Sequence, residues 1–325
     1  MRIVYCHNWF LDYRIPVFLH LKKLTNDNFY VLYNSDNVPT RISLKLKKQL
    51  GLNAIEFKNE KTFYLKKNYS GDFANSTFKL QYQPGLYKKL KELRPDILIG
   101  EGFFRWGLIN LTYKIFNKTK YIMLYERTFH TERNTPFFLT ILRKIILNLI
   151  DSVGCNGIQT KEYIQSLGYD MRKTFDKHMV ADTSSLISKS VDYNRINEIK
   201  DMYSIKGKVF LYCGQMVKRK GVDLLINSWI KFKSKNQTDS SLVLIGSGES
   251  LNNFKKLANH SSIKFIPKVD FDEIHNYFGI ADIFIILTRE DNGSIVLPEA
   301  MAMGLPVITS IFNGNHNEYV NSKNG

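Results

Sequence analysis

Cysteine is scarce in this chain. Cys6, Cys155 and Cys213 are the only three in 325 residues, far apart and without paired spacing. That excludes a disulfide framework and a zinc finger, and it fits reduced thiols in a cytoplasmic protein. Long apolar runs are also missing. The most apolar later segment, 137–150 (FFLTILRKIILNLI), carries Arg143 and Lys144 at its centre. It is too short and too charged to span a bilayer and reads as an amphipathic or buried helix. At the start, MRIVYCHNWF is interrupted by His7 and Asn8 before it reaches the length of a secretory signal. No dinucleotide fingerprint is present, since Gly246-Ser247-Gly248 lacks the third glycine, and there is no Walker-type Gly-Lys-Ser/Thr loop. No repeat with a period of 20–50 residues is visible. Acid is in deficit too, with 30 Asp and Glu against 46 Lys and Arg. Residues 1–190 hold 30 of the cations and 16 of the acids, a net of +14; residues 191–325 hold 16 and 14, a net of +2. A basic first half calls for an anionic partner, either an acidic membrane surface or a polyprenyl-phosphate carrier. Nucleic acid is not expected, because no recognised binding module appears.

What is present is an alternation of strands and helices. Short apolar runs at 3–6, 29–33, 97–99, 121–125 and 151–155 read as strands, and 16–24 and 161–167 as helices. Residues 34–90 are rich in Lys and Tyr and resist parsing. The stretch 181–193 (ADTSSLISKSVDY) is polar and poor in large apolar residues, which marks a boundary. Beyond it, strands at 209–213, 242–245, 263–266 and 280–287 alternate with helices at 222–232 and 272–281. Such alternation predicts doubly wound parallel sheets, in two domains of residues 1–185 and 186–325.

The most informative stretch is 288–306, TREDNGSIVLPEAMAMGLP. A buried strand precedes it, a polar corner follows, and then Ile295, Leu297, Ala300, Met301 and Met303 recur at helical spacing until Gly304. A strand, tight turn and helix is a layout that binds phosphate through backbone amides. Gly293 allows close approach, Ser294 reads as an N-cap, and Ile295 stands at the helix start. Asp291 and Glu299 bracket the corner, and carboxylates accept hydrogen bonds from sugar hydroxyls. A second loop, Gly214 to Gly221, places Lys218, Arg219 and Lys220 between a strand and a helix, as a diphosphate clamp would require. Asp270-Phe271-Asp272 spells an acid-x-acid metal motif by letters. Asp272 before Glu273-Ile274 reads as an N-cap instead, so no catalytic metal is implied. In the first half, His7, Asp12, Tyr13 and Arg14 follow the first strand and Glu126 and His130 follow a later one. Sites in such folds gather at strand C-terminal ends.

D-N-G-S-I-V-L-P-E-A-M-A-M-G-L-P-V-I, from Asp291, resembles the acid, seven residues, acid signature of the group 1 (family 4) retaining glycosyltransferases, with Asp291 where glutamate is usual. Lys220-Gly221 resembles that family's lysine–glycine element, and Gln215 stands where its arginine usually does. The resemblance implies the GT-B architecture, two Rossmann-like domains facing across a cleft. It also implies a retaining, metal-independent transfer of sugar from a UDP- or GDP-linked donor, with no cofactor, to a glycan or lipid-linked acceptor. On that reading Gly214, Gln215, Arg219, Lys220, Gly293, Ser294, Ile295 and Glu299 bind the donor, and Asp291 meets its sugar. His7, Tyr13, Arg14 and Glu126 lie on the acceptor side. Family members place a histidine near the donor sugar, for which His130 and His7 are rivals. The D-Y-R-I-P-V-F run resembles polysaccharide- and lipopolysaccharide-assembly members. It implies a cytoplasmic enzyme, peripheral at the inner face of the membrane. The family continues past 313–325 into another strand and helices, so the second domain reads as shortened. Two alternatives stand beside the transferase: a nucleotide-sugar epimerase, and a non-catalytic partner or membrane-surface module.

Overall fold

The computed structural model describes residues 1–67, 77–176, 181–189 and 191–324. Its contacts divide the chain into two compact units, Met1–Val180 and Ala181–Gly325. The first unit contains strands β1 (Ile3–Cys6), β2 (Phe29–Asn34), β3 (Ala54–Phe57), β4 (Lys61–Lys67), β5 (Thr77–Tyr82), β6 (Ile97–Glu101), β7 (Lys120–Tyr125), β8 (Ser152–Cys155) and β9 (Thr174–Asp176). Seven of them form a sheet in the order β3-β2-β1-β6-β7-β8-β9. Every neighbouring pair in it is parallel. β4 and β5 pair with each other, antiparallel.

Side chains on these strands alternate between two cores, as a pleated sheet covered on both faces requires. Val4, Cys6, Leu98, Met123 and Val153 face one cluster. Ile3, Tyr5, Phe29, Val31 and Tyr33 face the other. The alternating covered faces are the physical basis of a doubly wound layout.

The second unit repeats the plan on a smaller scale. Strands β10 (Lys208–Cys213), β11 (Ser240–Ile245), β12 (Ile263–Ile266), β13 (Ile283–Ile286) and β14 (Val307–Thr309) lie in the order β12-β11-β10-β13-β14. All four pairings are parallel. β11 is buried along its whole length, so its sequence shows no polar alternation. In each sheet the strand order reverses once, between β1 and β6 and between β10 and β13. Open α/β sheets bind their ligands at such reversals, beyond the strand C-termini.

Several local expectations need correction. The apolar run 280–287 is strand only over Ile283–Ile286, and 272–281 is helix only over Ile274–Gly279. Asp272 is not a cap: Glu273 holds that position, and the Asp272 carboxylate accepts from Lys189 at 2.9 Å. The polar stretch 181–193, at whose start the two units divide, also carries structure of its own. Asp182 caps a short helix, Thr183–Ile187, whose Leu186 is buried in the second unit's core; Ser190 lies outside the described residues. The Lys- and Tyr-rich region from residue 34 on supplies the helices Thr40–Leu50 and Leu86–Leu93 and strands β3 to β5.

Candidate functional site

At the reversal in the second sheet, two loops meet. The first follows β10 and runs from Gly214 to Gly221; the second follows β13 and runs from Leu287 to Ser294. The Arg219 carbonyl joins them, accepting from the backbone N–H of Arg289 at 2.8 Å, that of Glu290 at 3.2 Å and the Thr288 hydroxyl at 3.0 Å. Arg289 reaches back to the Lys218 carbonyl at 2.9 Å and forks onto both carboxylate oxygens of Asp223, at 2.5 and 2.9 Å. Gly221 makes the approach feasible. Its φ is +68°, and a Cβ there would sit 1.9 Å from the Leu287 carbonyl oxygen. Only glycine fits this junction.

The side chains that the loops bring together carry most of the chemistry predicted from sequence. The Lys220 ammonium pairs with the Asp291 carboxylate, both side chains nearly buried. Asp291 also accepts from the Ser294 hydroxyl at 2.7 Å and from the Gly293 amide at 3.4 Å. Burial alone would raise the Asp291 carboxyl. The charge and hydrogen bond of Lys220, the Ser294 hydroxyl and the Arg219 charge overcome it and hold the acid below its ordinary range. Arg219 donates to Gln215 Oε1 at 2.7 Å, and the Gln215 carbonyl accepts from the Tyr212 hydroxyl at 2.8 Å. Gln215 therefore positions Arg219. Glu299 lies on the helix Val296–Ala302. After burial, its charge is the second cause pushing the Cys213 thiol up to about 12, which places it beside the end of β10.

Ser294 does not cap the helix as its position suggests. The cap residue is Ile295, without a side-chain bond, because the Ser294 hydroxyl is turned to Asp291. The Ser294 amide donates to Asn313 Oδ1 at 3.0 Å and Asn315 Oδ1 at 3.3 Å, and Asn315 returns a bond to the Ser294 carbonyl at 3.1 Å. Sequence reading missed both asparagines; the N-G-N of 313–315 is a turn signal but carries no hint of its distant partner. At the other end of that helix, Gly304 (φ +80°) and Leu305 donate to the Met301 and Ala300 carbonyls, the closure that a left-handed glycine provides.

A second cluster sits at the reversal in the first sheet. His7 follows β1, and Glu101 ends β6. Glu101 accepts from the Tyr5 hydroxyl at 2.8 Å and pairs with the buried Arg14 guanidinium. His7 Nε2 lies 3.7 Å from the Glu101 carboxylate. Burial lowers the His7 imidazole to about 4; Glu101 opposes the shift, while Arg105 and Arg14 reinforce it. The ring is therefore neutral at pH 7, and its approach to Glu101 is not an ion pair. Burial and the Glu101 charge raise the Glu126 carboxyl, against Arg14, Arg127 and Arg105. Tyr13 stands under the Arg14 guanidinium, 5.3 Å from its ring centre. His7, Tyr13, Arg14 and Glu126 are thus brought together, with Tyr5, Glu101 and Arg105 added. His130 lies on the short helix Phe129–Glu132, half-buried, its carbonyl taken by Arg133. Among the described residues, no group of three or more His, Cys, Asp or Glu is placed to hold a metal ion.

Residues 196–325 match the family model for group 1 glycosyl transferases. An uncharacterized glycosyltransferase of Haemophilus influenzae is 27% identical over 159 residues, which is 47% of this chain and 41% of the relative. The chain thus spans about two fifths of the length of the curated relatives it matches. Among solved structures, a glycosyltransferase from Rickettsia africae ESF-5 superimposes with a TM-score of 0.71 at 15% identity, over 98% of this chain and 82% of that one. Anabaena Alr3699/HepE, solved in complex with UDP, superimposes with a TM-score of 0.71 at 13% identity, over 99% and 84%. It has also been solved in complex with UDP-glucose. At these identities the structural likeness shows the fold alone. The chain has the α/β GT-B fold, and its residues 196–325 match the model of the group 1 glycosyl transferases.

Proposed function

We propose that this chain transfers a sugar from a nucleoside-diphosphate donor to a glycan or lipid-linked acceptor, retaining anomeric configuration and using no metal. The observation that carries this reading is the meeting of Lys220 and Asp291 at the strand-order reversal of the second sheet, with Arg219 behind them. In the absence of donor, Asp291 neutralises Lys220. An incoming diphosphate brings more negative charge than one carboxylate and competes for the ammonium, with Arg219 as second cation. As the bond from sugar to phosphate breaks, charge develops on the leaving diphosphate, and a cation already in place stabilises it. Asp291, released from Lys220, is then an acceptor for donor-sugar hydroxyls. Glu299 accepts from the ribose. Gly214, Gln215, Gly293 and Ile295 shape the pocket wall, and Ser294 orients Asp291.

On this reading the first unit takes the acceptor at the His7, Tyr13, Arg14 and Glu126 cluster. The His7 imidazole, kept neutral by burial, and the Glu126 carboxyl, raised by burial, are the groups set to meet acceptor hydroxyls there. His130 is the alternative histidine for contact with the donor sugar. The donor base is uracil or guanine, and the protein works at the cytoplasmic face of a membrane.

The test is turnover of a panel of UDP- and GDP-sugars with a bacterial lipid and glycan extract as acceptor. The proposal expects release of free nucleoside diphosphate together with labelled sugar in the extract. A donor returned with altered sugar stereochemistry and no free nucleotide would establish an epimerase in its place. A folded protein that leaves every donor intact would overturn the enzymatic reading.

A further inference from the structure

We infer that Asn8 and Gln81, held by the Glu60 carboxylate, form a subsite of the first unit that takes the hydroxyls of a neutral sugar ring. In assigning that ring to the acceptor the inference rests on the function proposed above; the binding itself is tested without donor.

Glu60 directly precedes β4 and is half-buried. Its carboxylate accepts from Trp106 Nε1 at 2.7 Å, Gln81 Nε2 at 2.6 Å and Asn37 Nδ2 at 3.2 Å, and both its oxygens accept from Asn8 Nδ2, at 3.2 and 3.3 Å. Trp106 is fully buried, edge-on to Phe57 with ring centres 5.7 Å apart, so the carboxylate is anchored to the core. An ionised carboxylate only accepts hydrogen bonds. It therefore turns the NH2 groups of Asn8 and Gln81 toward itself and leaves their carbonyl oxygens on the arm away from it. Asn8 is 3% exposed and Gln81 9%. Among the described residues, neither Asn8 Oδ1 nor Gln81 Oε1 has a hydrogen-bond partner. Both amides bond the same carboxylate oxygen, so the two vacant acceptors are neighbours. A buried carbonyl without a donor costs stability, and native structures keep few of them. A ligand hydroxyl supplies what both lack.

Position and chemistry decide the class of ligand. Asn8 follows β1 beside His7, and Trp106 follows β6, so the cluster stands at the strand-order reversal of the first sheet. In the β4–β5 pair Thr62 lies opposite Gln81. Alternation along β4 then puts Glu60, Thr62 and Tyr64 on the Gln81 face. Tyr64 is 58% exposed. An aromatic ring beside a few placed polar groups is the usual lining of a small-molecule site, and it suits a sugar, whose ring has an apolar face and a hydroxyl rim. Asn37 is the exposed member of the four donors, and a hydroxyl that enters replaces it on Glu60. The two vacant valences are acceptors beside a carboxylate. Such a place takes hydroxyl protons and repels a phosphate or a uronate.

Saturation-transfer NMR on the full chain, without nucleotide, tests this. The probes are methyl glycosides of glucose, galactose, mannose, N-acetylglucosamine and rhamnose, beside glucose 6-phosphate and methyl glucuronide. At least one neutral glycoside should receive saturation, and the two anions none. Gln81→Leu and Asn8→Leu should each weaken that binding by about tenfold, the loss of one hydrogen bond from a ligand hydroxyl. Tyr64→Ala, at an exposed position, should weaken it while keeping the wild-type melting temperature, which covers the case in which the buried variants fold poorly. No transfer to any neutral glycoside, or equal transfer in the wild type and the folded variants, overturns the inference. So does stronger transfer to the anionic probes, which would give the neighbourhood to Arg105, whose charge meets that of Glu60. Glycoside binding by a chain that turns over no donor keeps this inference and removes the proposed function. Donor turnover by a chain that binds no glycoside does the reverse.

Discussion

Replacing Lys220 by alanine exposes the arrangement of the candidate donor site without any ligand. Both partners of the Lys220–Asp291 pair are nearly buried, 12% and 10% exposed at the side chain, so solvent screens them little. Removing the ammonium leaves a carboxylate held by the Ser294 hydroxyl, the Gly293 amide and the Arg219 charge. Breaking a buried pair from one side costs about 3–5 kcal/mol. For a unit of about 150 residues that is roughly 10 °C in melting temperature. The loss must depend on pH. In the wild type the Asp291 carboxyl is depressed, so its contribution is present above the unfolded carboxyl value and fades as pH falls through the lower folded one. In the variant, burial acts without lysine and raises the acid, a penalty present above the unfolded value and relieved as pH falls. The variant's trend shrinks the difference between the two proteins from pH 7 toward about pH 4, and the wild type's shrinks it further below that. Calorimetric melting across that range measures it. A loss below about 1 kcal/mol, as exposed pairs give, or one that does not change with pH, would refute the reasoning.

Other outcomes follow from the same geometry. His7, lowered to about 4 from an unfolded value near 6.5, leaves stability intact above pH 6.5 and costs about 3 kcal/mol as pH falls to 4. His7→Gln should flatten that slope in urea titrations, and an unchanged slope would contradict the burial of the ring. Glu101→Gln takes the paired carboxylate charge from the buried Arg14 guanidinium. A loss of about 3 kcal/mol is expected in the first unit's unfolding transition, and a loss under ~1 kcal/mol counts against it. Gly221→Ala drives a methyl into the Leu287 carbonyl at positive φ. It should cost more than ~2 kcal/mol and abolish any nucleotide-induced thermal shift; an unaltered melting curve would argue against the close approach of the two loops.

The parts of this structure that are legible in the sequence are those fixed by local pattern. β10 and β11 announce themselves as apolar runs. Gly214–Gly221 and the corner after β13 are visible as polar turns between a strand and a helix. The parts that are not legible depend on partners distant along the chain. Glu101 is a single acid between two glycines, and its importance comes from Arg14 and Tyr5, nearly ninety or more residues away. Asn313 and Asn315 matter only because folding brings them to Ser294. Local spacing suggests caps at Ser294 and Asp272, and in each case another side chain, Asp291 or Lys189, engages the residue instead. The β4–β5 pair is not legible because it belongs to neither parallel sheet and its sequences, KTFYLKK and TFKLQY, interrupt their apolar residues with Lys, Thr and Gln. Glu60 is illegible for the same reason as Glu101. It gathers donors from Asn8, Asn37, Gln81 and Trp106, four separate segments.

The most direct measurement is a thermal-shift panel of UDP, GDP, ADP and CMP on the wild-type chain and on Lys220→Ala. A ligand present at about a hundred times its dissociation constant stabilises the native state by about 2.7 kcal/mol. The account predicts such a shift with UDP or GDP on the wild type and none on the variant. No shift with any of the four on a folded wild-type chain, or an equal shift on Lys220→Ala, would contradict it.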